Sequence, residues 1–116
     1  MIFIEYPKCT TCKKAKQYLD DNNIKYIDRN IKENNPSVSE LKEYIKLSNK
    51  DIDKFFNTSG ILYRELDLKE KLKTMSDEDK IELLSTDGML VKRPLLIDEN
   101  NVLVGFKEVE WEKLLK

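Results

Sequence analysis

The chain has 116 residues, 40% of them apolar and 37% charged, which is the length of one domain with a core of its own and not the composition of a disordered segment. Its 21 basic and 22 acidic side chains leave a net charge of −1, so no overall field draws it to nucleic acid and direct nucleic-acid binding is not expected. No stretch approaches the ~20 apolar residues of a membrane span, and the opening MIFIEYPKCTT lacks the basic start and long apolar run of a signal peptide, so the expected setting is the cytoplasm, away from membranes.

Met1 to Tyr6 reads as a short β-branched strand that Pro7 ends. Thr10 or Thr11 is placed to cap the following helix, in which Ala15, Tyr18 and Leu19 form one apolar stripe. Residues 24–29 (IKYIDR) alternate apolar and polar and read as a second strand, completing a strand–helix–strand unit whose crossover favours parallel pairing. Ser37 with Glu40 makes a capping box before a helix whose apolar face is Val38, Leu41, Tyr44 and Ile45. A shorter helix is predicted over Lys50 to Phe56, a turn over Asn57 to Gly60, and one or two helical turns within Tyr63 to Leu72. Ser76 with Asp79 opens another helix, and Gly88 follows it. Pro94 to Ile97 and Val102 to Phe106 are apolar runs around Asp98-Glu99-Asn100-Asn101 and read as a hairpin. A last helix carries Val109, Trp111, Leu114 and Leu115. The order βαβ, then helices, then ββα predicts an α/β fold. A mixed four-stranded sheet would carry flanking helices and a helical insertion over roughly residues 36–90, all in a single domain spanning 1–116.

Chemistry concentrates at Cys9-Thr10-Thr11-Cys12, a C-x-x-C pair between a strand and a helix. In a reducing compartment such a pair points to thioredoxin-like thiol redox chemistry rather than to a standing disulfide. A helix N-terminus offers free N–H groups and partial positive charge, which favour a thiolate. Cys9, nearer the strand, is the expected nucleophile, and Cys12, one turn on, the resolving thiol. Lys8, Lys13 and Lys14 stand nearby, either as added positive potential or as the solvated face of the helix. The chain has no histidine, so a Cys–His pair of the protease kind cannot form within it. The competing readings are an inert packed pair and a zinc site. Structural zinc needs about four ligands, mostly Cys and His, and no metal is expected. Lys92-Arg93-Pro94 precedes the penultimate strand. In a thioredoxin-like fold that strand end faces the C-x-x-C loop, so Pro94 would be cis and Arg93 would lie near Cys9, able to hold an anion or stabilise the thiolate. An ordinary loop arginine before a strand-opening proline is the alternative.

Four segments, Y-P-K-C-T-T-C-K-K-A at 6–15, F-N-T-S-G with Y-R-E-L-D through 56–67, K-R-P-L-L at 92–96 and V-G-F at 104–106, resemble in order and spacing the arsenate reductase (ArsC) family of glutaredoxin-fold proteins, which includes the Spx-type regulators. The resemblance implies a thioredoxin/glutaredoxin-like fold, a nucleophilic Cys9, and a basic Arg93 beside a cis Pro94. It departs from the glutathione-linked arsenate reductases, which have one loop cysteine and three arginines around the oxyanion. Here Arg93 alone aligns with that set. Asn57 and Gly105 stand where the other two would be, and Arg64 is offset. The candidate substrate-binding residues are therefore Lys8, Thr10, Thr11, Asn57, Arg64 and Pro94, with Cys9, Cys12 and Arg93 as candidate catalytic residues. The resemblance implies a thiol-dependent reductase with no bound cofactor, reset by an external thiol such as thioredoxin or glutathione. Its alternative is an Spx-type redox-sensing regulator that binds the C-terminal domain of the RNA polymerase α subunit. The polymerase-contacting glycine of those regulators aligns near Asp51, where the run Ser48-Asn49-Lys50-Asp51 has none. A monomer is expected, since no apolar surface patch is evident in the pattern.

Overall fold

The structure, a computed structural model, describes residues 1–115. Strand β1 (Ile2–Glu5) leads through a tight loop into helix α1 (Thr10–Asp21) and then strand β2 (Ile27–Asn30). Four helices follow: α2 (Val38–Ser48), α3 (Ile61–Glu65), α4 (Leu68–Lys71) and α5 (Asp77–Thr86). Short 3-10 turns lie at Ile52–Phe55 and Gly88–Leu90. Strands β3 (Leu95–Ile97) and β4 (Val102–Val104) and helix α6 (Glu108–Leu115) close the chain. The sheet runs β2-β1-β3-β4, with β1 parallel to β2 and antiparallel to β3, and β3 antiparallel to β4. This is the mixed four-stranded α/β sheet with flanking helices that the segment order predicts. Among the described residues no helix is long and apolar enough to cross a membrane.

Period-two alternation splits the core between the two faces of the sheet. Phe3 and Leu96 pack with Ala15 and Leu19 of α1 and Trp111 of α6 on one face. Ile4, Leu95 and Ile97 meet Leu41 and Tyr44 of α2, Leu84 of α5 and Phe55 and Phe56 on the other. Each such side chain, fully buried, contributes about 1.5–3 kcal/mol of transfer free energy. Trp111 is wholly buried, and its indole N–H donates to the Gly105 carbonyl at 3.1 Å. Val109, expected on the apolar face of α6, is instead 66% exposed.

The helix starts follow the sequence closely. Ser37 accepts from the Glu40 amide, and the Glu40 carboxylate accepts from the Ser37 amide, closing the capping box. Glu40 also receives a forked pair of hydrogen bonds from Arg29 of β2, at 2.7 and 2.9 Å. Arg29, with the Ser37 bonds, holds the Glu40 carboxyl down to about 2 and ties the insertion to the sheet edge. Ser76 caps α5 by accepting from the Asp79 amide. Two helices, α3 and α4, occupy the predicted helical turns after Gly60.

The second strand is shorter than its alternation suggests. Asn23 takes the left-handed conformation (φ 56°), and the Ile24 amide donates to the Leu19 carbonyl, so residues 24–26 leave α1 as a loop. Pairing begins only at Ile27, which is 66% exposed on this edge strand.

Candidate active site

The loop between β1 and α1 delivers Cys9 to the helix start. The Cys9 amide donates to the Tyr6 carbonyl at 3.0 Å, and the Lys13 amide donates to the Cys9 carbonyl at 3.0 Å. Cys9 is itself the N-cap of α1, with extended φ and ψ, and its Sγ accepts from the Cys12 amide at 3.3 Å. This corrects the expectation that Thr10 or Thr11 caps the helix. Those two residues form its first exposed turn, because the thiol already takes the orphan N–H that a threonine oxygen would accept.

Cys12, one turn on, is fully buried, and both thiols are free. Burial pushes the Cys9 thiol up, but hydrogen bonds from the Cys12 thiol and amide and the charge of Arg93 outweigh it, so the net shift is downward. Burial, together with the Cys9 sulfur and the charge of Glu5, pushes Cys12 up to about 12. The pair is therefore asymmetric: Cys9 is the readily ionised thiol and Cys12 the protonated reserve.

Arg93 reaches the site from the opposite side. The Arg93–Pro94 peptide bond is cis, and the Pro94 carbonyl accepts from the Gly105 amide at 2.8 Å. The Arg93 guanidinium sits over the Tyr6 ring, 5.2 Å from its centre. Its Nε and Nη1 are buried and have no hydrogen-bond partner among the described residues. Two unpaired guanidinium donors in a buried position present a ready place for an anionic group.

The strand entrance that carries Arg93 is clamped to the insertion. The Lys92 amide donates to the Phe55 carbonyl at 2.7 Å, the Asn57 amide donates to the Leu90 carbonyl at 2.8 Å, and Phe56 and Val91 form an antiparallel bridge. These bonds bring the Asn57–Gly60 turn against the Cys9 loop. A cavity of about 600 Å³ opens between them. Its polar lining includes Cys9, Thr11, Asn57 and Arg93, and its apolar wall includes Tyr6, Ile61, Leu62 and Met89.

The structure thus brings together Cys9, Cys12, Arg93 and Pro94, with Thr11 and Asn57 on the cavity wall. It does not bring in the other three candidates. Lys8 and Thr10 are exposed and do not line the cavity. Arg64 lies on the last turn of α3 and lines a different depression with Thr58, Tyr63, Asp67 and Lys69. The Arg64 side chain does not line the cavity, to which α3 presents Ile61 and Leu62. Lys13 and Lys14 are exposed helix-surface residues, and the cation that lowers Cys9 is Arg93. Sequence reasoning missed Tyr6, Met89 and the Ile61–Leu62 wall. Of these only Tyr6 carried a signal, as part of the Y-P-K-C run.

Comparison with known proteins places this geometry in a family. The model of the ArsC family matches residues 4–114. The uncharacterized protein YusI of Bacillus subtilis is 50% identical over 113 residues, covering 97% of this chain and 96% of its own. The global transcriptional regulator Spx 1 of Bacillus cereus is 30% identical over 109 residues, covering 94% of this chain and 82% of its own. A crystal structure of an ArsC family related protein from Bacteroides fragilis superposes with a TM-score of 0.96 at 57% identity, covering 97% of this chain and 95% of that one.

Proposed function

We propose, starting from the fact that the chain belongs to the ArsC family, that it is a thiol–disulfide oxidoreductase working in the reducing cytoplasm. The observation that carries this reading is the asymmetric cysteine pair: Cys9 at the helix N-cap, lowered by Cys12 and Arg93, above a buried and protonated Cys12. Cys9 attacks one sulfur of a substrate disulfide and forms a mixed disulfide, and the other sulfur leaves as a thiolate. Cys12 then attacks Cys9 and releases the bound half as a thiol. An external thiol, thioredoxin or glutathione, reduces the Cys9–Cys12 disulfide and restores the pair. Arg93 holds an anionic group of the substrate, and Asn57 and Thr11 line its berth. Pro94 keeps the strand end open toward the bound chain.

Arsenate is the lesser acceptor on this reading. A single guanidinium faces Cys9, where the resemblance leads one to expect three. The apolar wall of the cavity also suits an organic disulfide better than a bare oxyanion. The test follows NADPH consumption through thioredoxin with its reductase, and through glutathione with glutaredoxin, offering a small disulfide or arsenate. Turnover of the disulfide well above that of arsenate is the expected result. Turnover of neither acceptor through either reset system overturns the reading.

The likeness to Spx 1 favours a second reading, in which oxidation of Cys9 and Cys12 changes a surface that binds the RNA polymerase α C-terminal domain. Capture of that domain by this chain in one redox state alone would support it. No capture in either state removes it.

A further inference from the structure

Beside the Cys9 cavity lies a second depression of about 400 Å³. The chain from Phe56 to Ser59 is the wall between the two, with Asn57 and Ser59 lining the Cys9 side and Phe56 and Thr58 the other. Lys92 lines both. Buried Phe56 and Leu72 and half-buried Tyr63 supply the apolar lining of the second depression. Around it stand Lys54 of the first 3-10 turn, Lys69 of α4 and Lys92 at the approach to β3. Three separate segments bring these lysines together, so they are not the solvated face of one helix. None of the three forms an ion pair among the described residues. The other charges lining the depression are engaged: Asp53 by Lys80 at 2.8 Å, and Lys73 by Glu70 at 3.2 Å. A smaller depression shares Thr58, Tyr63 and Lys69 and adds Arg64 and Asp67.

Like charges that converge on a concave site repel one another, and what relieves them is an anion from outside the chain. The effect is local, since the whole chain carries a net charge of −1. Lysine ammonium groups are compact point charges, suited to phosphate, whereas the planar fork of arginine suits bidentate capture of a carboxylate. A phosphate monoester brings a charge of about −1.5 to −2 to such a cluster. The depression is also concave and of a size that small molecules fill, roughly 300–1,000 Å³. On the Cys9 side, the wall of Ile61, Leu62 and Met89 suits an uncharged arm.

We infer that the substrate is a low-molecular-weight disulfide in which a flexible, uncharged arm joins the sulfur to a phosphate-bearing tail. The sulfur meets Cys9, the arm crosses the Phe56–Ser59 wall beside Lys92, and the phosphate sits among Lys54, Lys69 and Lys92. The inference rests on the thiol–disulfide reading given above. The Cys9 thiolate attacks one sulfur, the substrate disulfide bond breaks, and the first half leaves as a thiolate that takes a proton from water. Cys12 then bonds to Cys9, and the second half leaves with the Cys12 proton. The substrate disulfide gains the two electrons that the cysteine pair loses.

The experiment mixes the reduced full chain, freed of reductant, with coenzyme A disulfide or with pantethine, which has the same arm and sulfur but no phosphate. Intact mass follows formation of the Cys9–Cys12 disulfide. Coenzyme A disulfide is expected to react faster by on the order of tenfold at low salt, although net charge alone would disfavour it. The ratio should fall toward one as salt is raised. Lys54→Gln with Lys69→Gln should also bring it near one. The same two charges removed at Lys25 and Lys42, which are exposed and line neither depression, should leave it in place. Oxidised glutathione, with carboxylates and no phosphate, should react more slowly than coenzyme A disulfide. A ratio of one or below in the unsubstituted chain overturns the proposal. So does a ratio that the Lys54 and Lys69 changes leave intact, which would assign the attraction to Arg93 alone, and so does glutathione disulfide reacting as fast. Failure of the underlying reading looks different, since neither disulfide would then react. Titration calorimetry of coenzyme A disulfide into Cys9→Ser tests the lysine site without the chemistry: binding that the Lys54 and Lys69 changes abolish supports the proposal, and no binding overturns it.

Discussion

Cys9→Ser is expected to lose thiol-dependent turnover by on the order of a thousandfold or more while keeping its fold. The loss follows from the position of Cys9, the only thiol on the cavity wall, lowered by Cys12 and Arg93. A serine hydroxyl is not appreciably ionised near neutral pH and cannot form a disulfide, and Cys12 cannot stand in because it is wholly buried. The fold survives because serine is a favoured N-cap, so its oxygen can accept the Cys12 amide bond that Sγ accepts now. Cys12→Ser separates the two steps: attack by Cys9 continues, and the chain accumulates as a mixed disulfide. Steady-state turnover, intact mass and a thermal melt read all three outcomes. Cys9→Ser that folds and retains full turnover would remove Cys9 from the chemistry.

Gly88→Ala is expected to cost about 3 kcal/mol or more of stability. A Cβ at this position would stand 1.8 Å from the Ile31 carbonyl oxygen and 2.6 Å from its carbon. Both are backbone atoms at the end of β2, so no side-chain rotation relieves the overlap. Either the 3-10 turn at Gly88–Leu90 or the chain after β2 must move. The turn leads directly to Val91, Lys92 and Arg93, whose bonds to Phe55 and Asn57 set one wall of the cavity. The variant should therefore lose activity as well as stability, with the substrate KM raised by displacement of Arg93. Thermal denaturation with a disulfide-reduction assay checks this. An unchanged melting temperature would show that the contact relaxes at little cost.

How far the fold is legible depends on where the information lies. The helix starts at Ser37 and Ser76 are written locally, as a capping oxygen with a partner three residues on, and both form as read. The β3–β4 hairpin is likewise local, with two apolar runs around Asp98, whose carboxylate accepts from the Asn100 and Asn101 amides. The start of β2 is not local. Alternation in 24–29 is genuine, yet the Leu19 carbonyl captures the Ile24 amide and shortens the strand. Within the site, Cys9, Cys12 and Arg93 are legible because their residue types are rare and their spacing constrained. Arg64 misleads because it stands two residues beyond Leu62, roughly 200° round the helix from that cavity-lining side chain, and so faces another depression. Glu5 was readable in principle. It is the single acid in MIFIEY, in phase with Phe3, and only the packing above the sheet shows that it is buried.

The central claim is that Cys9 is the activated thiol of an asymmetric pair, and site-resolved alkylation tests it most directly. The native reduced chain would be treated with iodoacetamide across a pH series, and modification at each cysteine followed by peptide mass. Arg93 and the Cys12 bonds lower Cys9, so its modification should rise with a midpoint below the value near 8.5 of a free cysteine. Cys12, buried and held near 12, should stay unmodified until the chain is unfolded. A Cys9 midpoint at or above that of free cysteine, or modification of Cys12 before Cys9, would contradict the account.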